Sequence, residues 1–154
     1  MRDYFLKLFA HEHWANAKLF AALSALPSVP PRTLELCPHI MSAHQFWDKR
    51  FAGEDVNSGT FEWFPKLTLS ECQALNEVYA QKWARFFTEL PLPIDAQTLS
   101  YAAQDGPVTV RVIDIFTQLH GHSTHHRAQI STDLRIAGIE PLITDYYLFC
   151  RETA

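Results

Sequence analysis

Glycine is scarce in this chain. Five in 154 residues is about half the usual share, which leaves few positions for left-handed turns and disfavours a fold built on tight β-turns. Cysteine is sparse too. Cys37, Cys72 and Cys150 are widely spaced and odd in number, which argues against a disulfide framework and suits small buried side chains in a reducing cytoplasm. Basic charge does not dominate: 13 Lys and Arg face 17 Asp and Glu, a formal charge of -4. With no cationic stripe to neutralise phosphates, a dedicated DNA- or RNA-binding role is excluded. No apolar run approaches the ~20 residues of a membrane span. The opening MRDYFLKLFAHEHW is broken by charges and has no small-residue cleavage site, so it reads as structure and not as a secretory leader.

What is present suits a helical protein. Residues 1–154 fit one domain, and a chain of this size buries enough surface to need no covalent staples. From Asp3 to Ala25, apolar residues recur at spacings of three and four (Phe5, Leu8, Phe9, Ala15, Leu19, Leu23), the mark of an amphipathic helix. Pro27, Pro30 and Pro31 end it. A second helix runs from about Thr33 to Phe51, with Pro38 expected to kink or restart it. Gly53 to Pro65 reads as a loop carrying an aromatic patch, Phe61, Trp63 and Phe64.

The third helix opens on a capping box, either Thr68 with Glu71 or Ser70 with Gln73. Its apolar stripe is Leu75, Val78, Tyr79, Trp83, Phe86 and Leu90, and Pro91 and Pro93 close it. Alternation at Leu99, Tyr101 and Ala103, then at Val108, Val110 and Val112, about an Asp105-Gly106 turn predicts a short β-hairpin. The fourth helix runs from about Val112 to Ala137, with Gly138 as a left-handed cap and Pro141 beyond. The short aromatic segment TDYYLFCRE follows. The expected fold is all-α: a four-helix bundle with one long connection and a short hairpin before the last helix.

Eight histidines are the feature that needs explaining. The densest run is His120-Gly-His-Ser-Thr-His-His126 in the fourth helix. On a helical wheel centred on Leu119, His126 lies at ~−20° and His122 at ~−60°, within the apolar stripe, whereas His120 and His125 fall on its flanks. Two imidazoles four residues apart can grip one divalent ion in adjacent positions. The plainer reading, two core histidines satisfied by hydrogen bonds, requires two separate buried partners. Ser123 follows His122, so the glutamate of a zinc-protease H-E-x-x-H motif is missing.

A third ligand must come from another helix. On the second helix, His39 lies within the apolar stripe and His44 at its rim. On the first, periodicity singles out neither His11 nor His13, and both read as surface or interfacial. Asp133 shares the face of His126 but sits ~10 Å further along. Cys37, two residues before His39, points about 200° away from it around the helix, which disfavours it as an internal thiolate.

Three segments carry a resemblance. AHEHWANAKLFAAL, with Trp14, Ala15 and Asn16, is similar to the opening helix of the DinB-like four-helix bundle proteins. CPHIMSAHQFWDKRFAGE resembles their second-helix segment, with its histidine at His39. HSTHHRAQISTDLRIAGIEPLITDYY is similar to their signature N-H-x-x-H-H-R-x-Q, with Gly121 where asparagine is usual. His44 stands where the group often has an acidic residue, and His11 where it often has tyrosine. The group is related to mycothiol- and bacillithiol-dependent transferases.

The resemblance implies a divalent-metal site built by His39, His122 and His126, a low-molecular-weight thiol co-substrate and a homodimer. Arg127 and Gln129 match the signature, and with His44 they are candidates for contacting the ligands from outside or for packing the helices. Zinc or nickel is expected first, with iron, cobalt or manganese as alternatives, since imidazole ligands alone do not choose among them.

The leading expectation is therefore a cytoplasmic metal-dependent enzyme acting on small molecules, a thiol S-transferase or a hydrolase serving stress or detoxification. The competing class is a non-catalytic metal-binding module or a dimeric interaction module. A closed fourth ligand from Asp145, Tyr146 or Tyr147 would favour that class. An open position facing a cleft would favour the enzyme.

Overall fold

A capping box starts the third long helix of the computed structural model, which describes residues 1–153. The Thr68 backbone N–H donates to the Glu71 carboxylate at 2.7 Å, and the Glu71 backbone N–H donates to the Thr68 hydroxyl at 3.2 Å, so two otherwise orphaned donors are satisfied together. Four long helices are present among the described residues: α1 (Arg2–Ser24), α2 (Pro31–Phe51), α3 (Leu69–Glu89) and α4 (Val112–Ile136). Between α3 and α4 lies the antiparallel hairpin β1 (Thr98–Ala103) and β2 (Gly106–Arg111). α4 ends on a Schellman motif. Gly138 takes a φ of 74°, its N–H donates to the Arg135 carbonyl, and the Ile139 N–H reaches back to Leu134.

Local expectations are met with four adjustments. α2 runs without a break through Pro38. Ala103 pairs with Gly106, so Gln104 and Asp105 form the hairpin turn and Gly106, at a φ of 118°, opens β2. Val78 is exposed, and Cys72, Asn76 and Phe87 complete the buried face of α3 instead. The aromatic segment after Pro141 forms a fifth helix, α5 (Tyr146–Glu152), because the Asp145 carboxylate accepts the Leu148 N–H at 2.8 Å and caps it.

α1 packs chiefly on α3, and α2 lies against both α3 and α4. Two apolar layers result. One gathers Phe9, Trp83, Phe87 and Phe116, and the other gathers Phe20, Cys37, Ile40 and Ile130. Between them the helices contribute polar side chains: Glu12, His13 and Asn16 from α1, Asn76 from α3, and Ser123 and Arg127 from α4. Both histidine groups discussed below belong to this middle layer. No helix is long and apolar enough to cross a membrane among the described residues.

Candidate metal centre

The spacing of α4 brings His122 and His126 one above the other, with ring centroids 4.4 Å apart. α2 presents His39 to both, at centroid distances of 4.8 and 4.6 Å. The rings meet through one kind of atom. Nε2 of His122 lies 3.1 Å from Nε2 of His39 and 3.1 Å from Nε2 of His126. Among the described residues, this is the one group of three or more His, Cys, Asp or Glu side chains that could hold a metal ion, with ligand atoms all within 4.8 Å of one another.

Neighbouring groups fix which ring nitrogen is bare. His39 Nδ1 donates to the Trp63 carbonyl at 2.8 Å, and a carbonyl only accepts, so the neutral ring turns a lone pair on Nε2 toward the cluster. His126 Nδ1 bonds the Gln129 side-chain oxygen at 2.8 Å, with the same consequence. Phe64 stacks flat on His39 at 4.3 Å and 8°, fixing the ring plane. Such outer contacts orient ligands and raise their basicity.

Burial first, and then the neighbouring His126 and His39, bring the His122 pKa down to about 3. His126 is also lowered, first by burial, with the Gln129 bond opposing. At neutral pH these two rings are neutral, the state that binds metal.

The residues fit a divalent ion. Three converging lone pairs repel one another unless a cation or a shared proton sits between them. Two imidazole ligands at ~2.05 Å in tetrahedral array stand ~3.3 Å apart, close to the 3.1 Å found here. No carboxylate joins the group. Asp133 is bound to Arg32 at 3.0 Å, and the Asp145 to Tyr147 segment lies elsewhere, with Asp145 capping α5 and Tyr146 against His11.

A cavity of about 400 Å³ adjoins the cluster. His39, Ala43, Phe46 and Trp47, spaced along one face of α2, form one wall, and Gln118 and His122 of α4 form another. His39 and His122 thus face the cavity and each other.

The other candidates are placed differently. His44 is not at a rim: it is fully buried, accepts the Trp83 indole N–H at 2.9 Å on Nδ1 and turns Nε2 toward Glu12 at 3.5 Å. His11 and His13 are buried as well, not superficial. His11 bonds His120 and the Thr144 carbonyl, and His13 donates to the Asn76 side chain. α1 is covered by α3, α4 and α5 together, so its polar side is interior and an apolar stripe alone misreads it.

Arg127 contacts none of the three clustered histidines. It is buried and bonds Glu12 at 3.0 Å, Asn16 at 2.9 Å and Thr124 at 3.0 Å. Burial alone would raise the Glu12 pKa, but Arg127 and His44 overcome it and hold the carboxyl well below its ordinary range. Cys37 is buried against the apolar layer, where burial first and Cys72 second push its thiol up. Burial thus disfavours a thiolate at this position.

Sequence reasoning missed Glu12 and the Trp63 carbonyl. Glu12 had a signal, as the sole acid in α1 after Asp3 and one turn before Asn16. A backbone carbonyl has none.

Comparison with known proteins points to one family. The model of the DinB family matches residues 1–153. Protein DinB of Bacillus subtilis (strain 168) is 25% identical over 173 aligned residues, spanning 99% of this chain and 98% of that protein. The chain belongs to the DinB family.

Proposed function

We propose that His39, His122 and His126 hold one divalent metal ion, zinc or nickel before iron, cobalt or manganese, and that the protein is a metal-dependent enzyme acting on small molecules. The observation that carries this reading is the convergence of three Nε2 atoms beside a cavity. A bound metal would acidify a water or hold a thiolate as nucleophile. The chain's own residues supply the rest. Trp63 and Gln129 fix the ring tautomers, and Phe46 and Trp47 keep the approach apolar.

Between hydrolase and thiol S-transferase, the relationship of DinB-like proteins to thiol-dependent enzymes favours the transferase. The reading places it in the cytoplasm in stress or detoxification, as a homodimer. The free thiols Cys37, Cys72 and Cys150 support a reducing setting.

Elemental analysis of untagged protein purified without chelators, beside the His122→Ala/His126→Ala double variant, tests the metal. About one ion per chain, absent from the variant, is expected. Equal metal in both would remove the site assignment. Turnover of a thiol with an electrophile by the loaded protein, absent in the variant, then separates transferase from hydrolase. Size-exclusion chromatography with light scattering checks the dimer.

A further inference from the structure

The cavity beside the histidines has a chemical preference of its own. Its walls include Phe46, Trp47 and Trp63, and its polar contributions at the rim are the uncharged Ser58 and Gln118. No acidic side chain lines it. Outside it, Arg50 lies against two rings of this wall, Phe46 and Trp47, and against Tyr101, which does not line the cavity. Its guanidinium carbon sits 4.5 Å from the Phe46 ring centre, 5.7 Å from that of Trp47 and 3.7 Å from that of Tyr101.

Arg50 is buried, and among the described residues no carboxylate comes within ion-pair reach of it, since Asp48 pairs with Lys82 and Glu54 with Lys49. A cation on one side of an aromatic wall draws on the negative faces that would otherwise attract a second cation. Three neutral imidazoles also leave the full positive charge of a bound metal uncompensated at the inner end. Shape and field agree: the space takes a flat apolar body, and the field disfavours a cationic one.

We propose that the cavity receives a small molecule with a flat, uncharged apolar body and an anionic metal-binding head, and that Phe46, Trp47 and Trp63 select that body. The head lies at His39, His122 and His126, so the inference rests on the metal reading. The body lies along α2 toward Trp47, and Gln118, one turn before His122 on α4, sits at the rim to bond a polar substituent. A volume of about 400 Å³ is within the range of small-molecule sites.

The cobalt-loaded full chain tests this with three hydroxamates that share one metal-binding head. Acetohydroxamate has almost no body, benzohydroxamate has a flat apolar one, and 4-(trimethylammonio)benzohydroxamate has a cationic one. Titration is followed by the visible cobalt spectrum. Benzohydroxamate is expected to bind about tenfold or more tightly than acetohydroxamate, from the apolar area it buries. The cationic analogue is expected to lose that gain.

Trp47→Ala should abolish the preference while keeping the cobalt spectrum and the acetohydroxamate affinity. Ser58→Phe, on the exposed connection, should do the same by filling the mouth without altering the core. Equal affinity for the three ligands, or a preference that survives both substitutions, overturns the inference while the cobalt spectrum upholds the metal site. Absence of any cobalt spectrum overturns the metal reading and the inference with it.

Discussion

Two groups of histidines share the middle layer of this bundle, and they solve burial in opposite ways. His13 and His44 sit in a network where most polar atoms have a counterpart: Asn76 for His13, Trp83 and Glu12 for His44, and Arg127 for Glu12. His39, His122 and His126 are anchored from outside through Nδ1 for two of the three, and their Nε2 atoms face one another. The first group is closed by protein except at His13 Nε2, which has no hydrogen-bond partner, and the second leaves three Nε2 atoms around a place that could hold a metal ion. Histidine content therefore does not mark a ligand site. What sets this cluster apart is ring nitrogens aimed at each other while two of the three outer nitrogens are held.

The comparison breaks most sharply at His122. His122→Ala should abolish stoichiometric metal binding with helicity intact by circular dichroism, whereas His13→Ala and His44→Ala should keep the metal. Full metal content in His122→Ala would erase the distinction between the groups.

Arg127→Met makes the opposite cut. It leaves the Glu12 carboxylate buried without its ion-pair partner, a loss of about 3–5 kcal/mol in unfolding free energy for a broken buried pair. Metal stoichiometry should persist at low temperature. Adding Glu12→Gln should recover much of the stability, and chemical denaturation of the single and double variants measures both.

Acid should weaken the closed group before its carboxylate titrates. Burial first, with help from His44, lowers the His13 pKa from 6.5 to about 4. The unfolded chain thus takes up a proton below pH ~6.5 that the folded chain refuses, and stability falls as pH falls. The loss amounts to about 3 kcal/mol between pH 6.5 and 4. Measured in metal-free His122→Ala, the slope should become shallower by about that amount when His13→Gln is added. An unchanged slope would assign it to other groups.

The smallest expected effect concerns Gln129. Gln129→Leu removes the partner of His126 Nδ1 and should weaken metal affinity 10–100-fold without changing stoichiometry. An unchanged affinity in a competition titration would show that the Gln129 contact does not tune the ligand.

Much of this division was legible in the chain. The four-residue spacing of His122 and His126 and the place of His39 within an apolar stripe brought the cluster into view, because a helix repeats its faces faithfully. The same rule hid the other group. A wheel identifies the interior by apolar residues, and Glu12, His13, Asn16 and His44 are an interior made of polar ones. Only the packing of α1 under three neighbours shows that this face is covered. The α5 helix escaped for a different reason: it has seven residues, too few for a period to show, and its Asp145 cap was the sole cue.

The Trp63 carbonyl has a consequence for the lifetime of the chain. It accepts hydrogen bonds from His39 Nδ1 and from the Ser42 hydroxyl, and the next residue, Phe64, lies on the His39 ring. The connection between α2 and α3 is thus moored to a ring that an ion would immobilise. Occupancy and resistance to proteases are then linked quantities. Trypsin cleavage at the exposed Lys66 should slow when zinc is added and should be fastest in His39→Ala, so the age of the molecule in a protease-rich cell would record whether its site is filled.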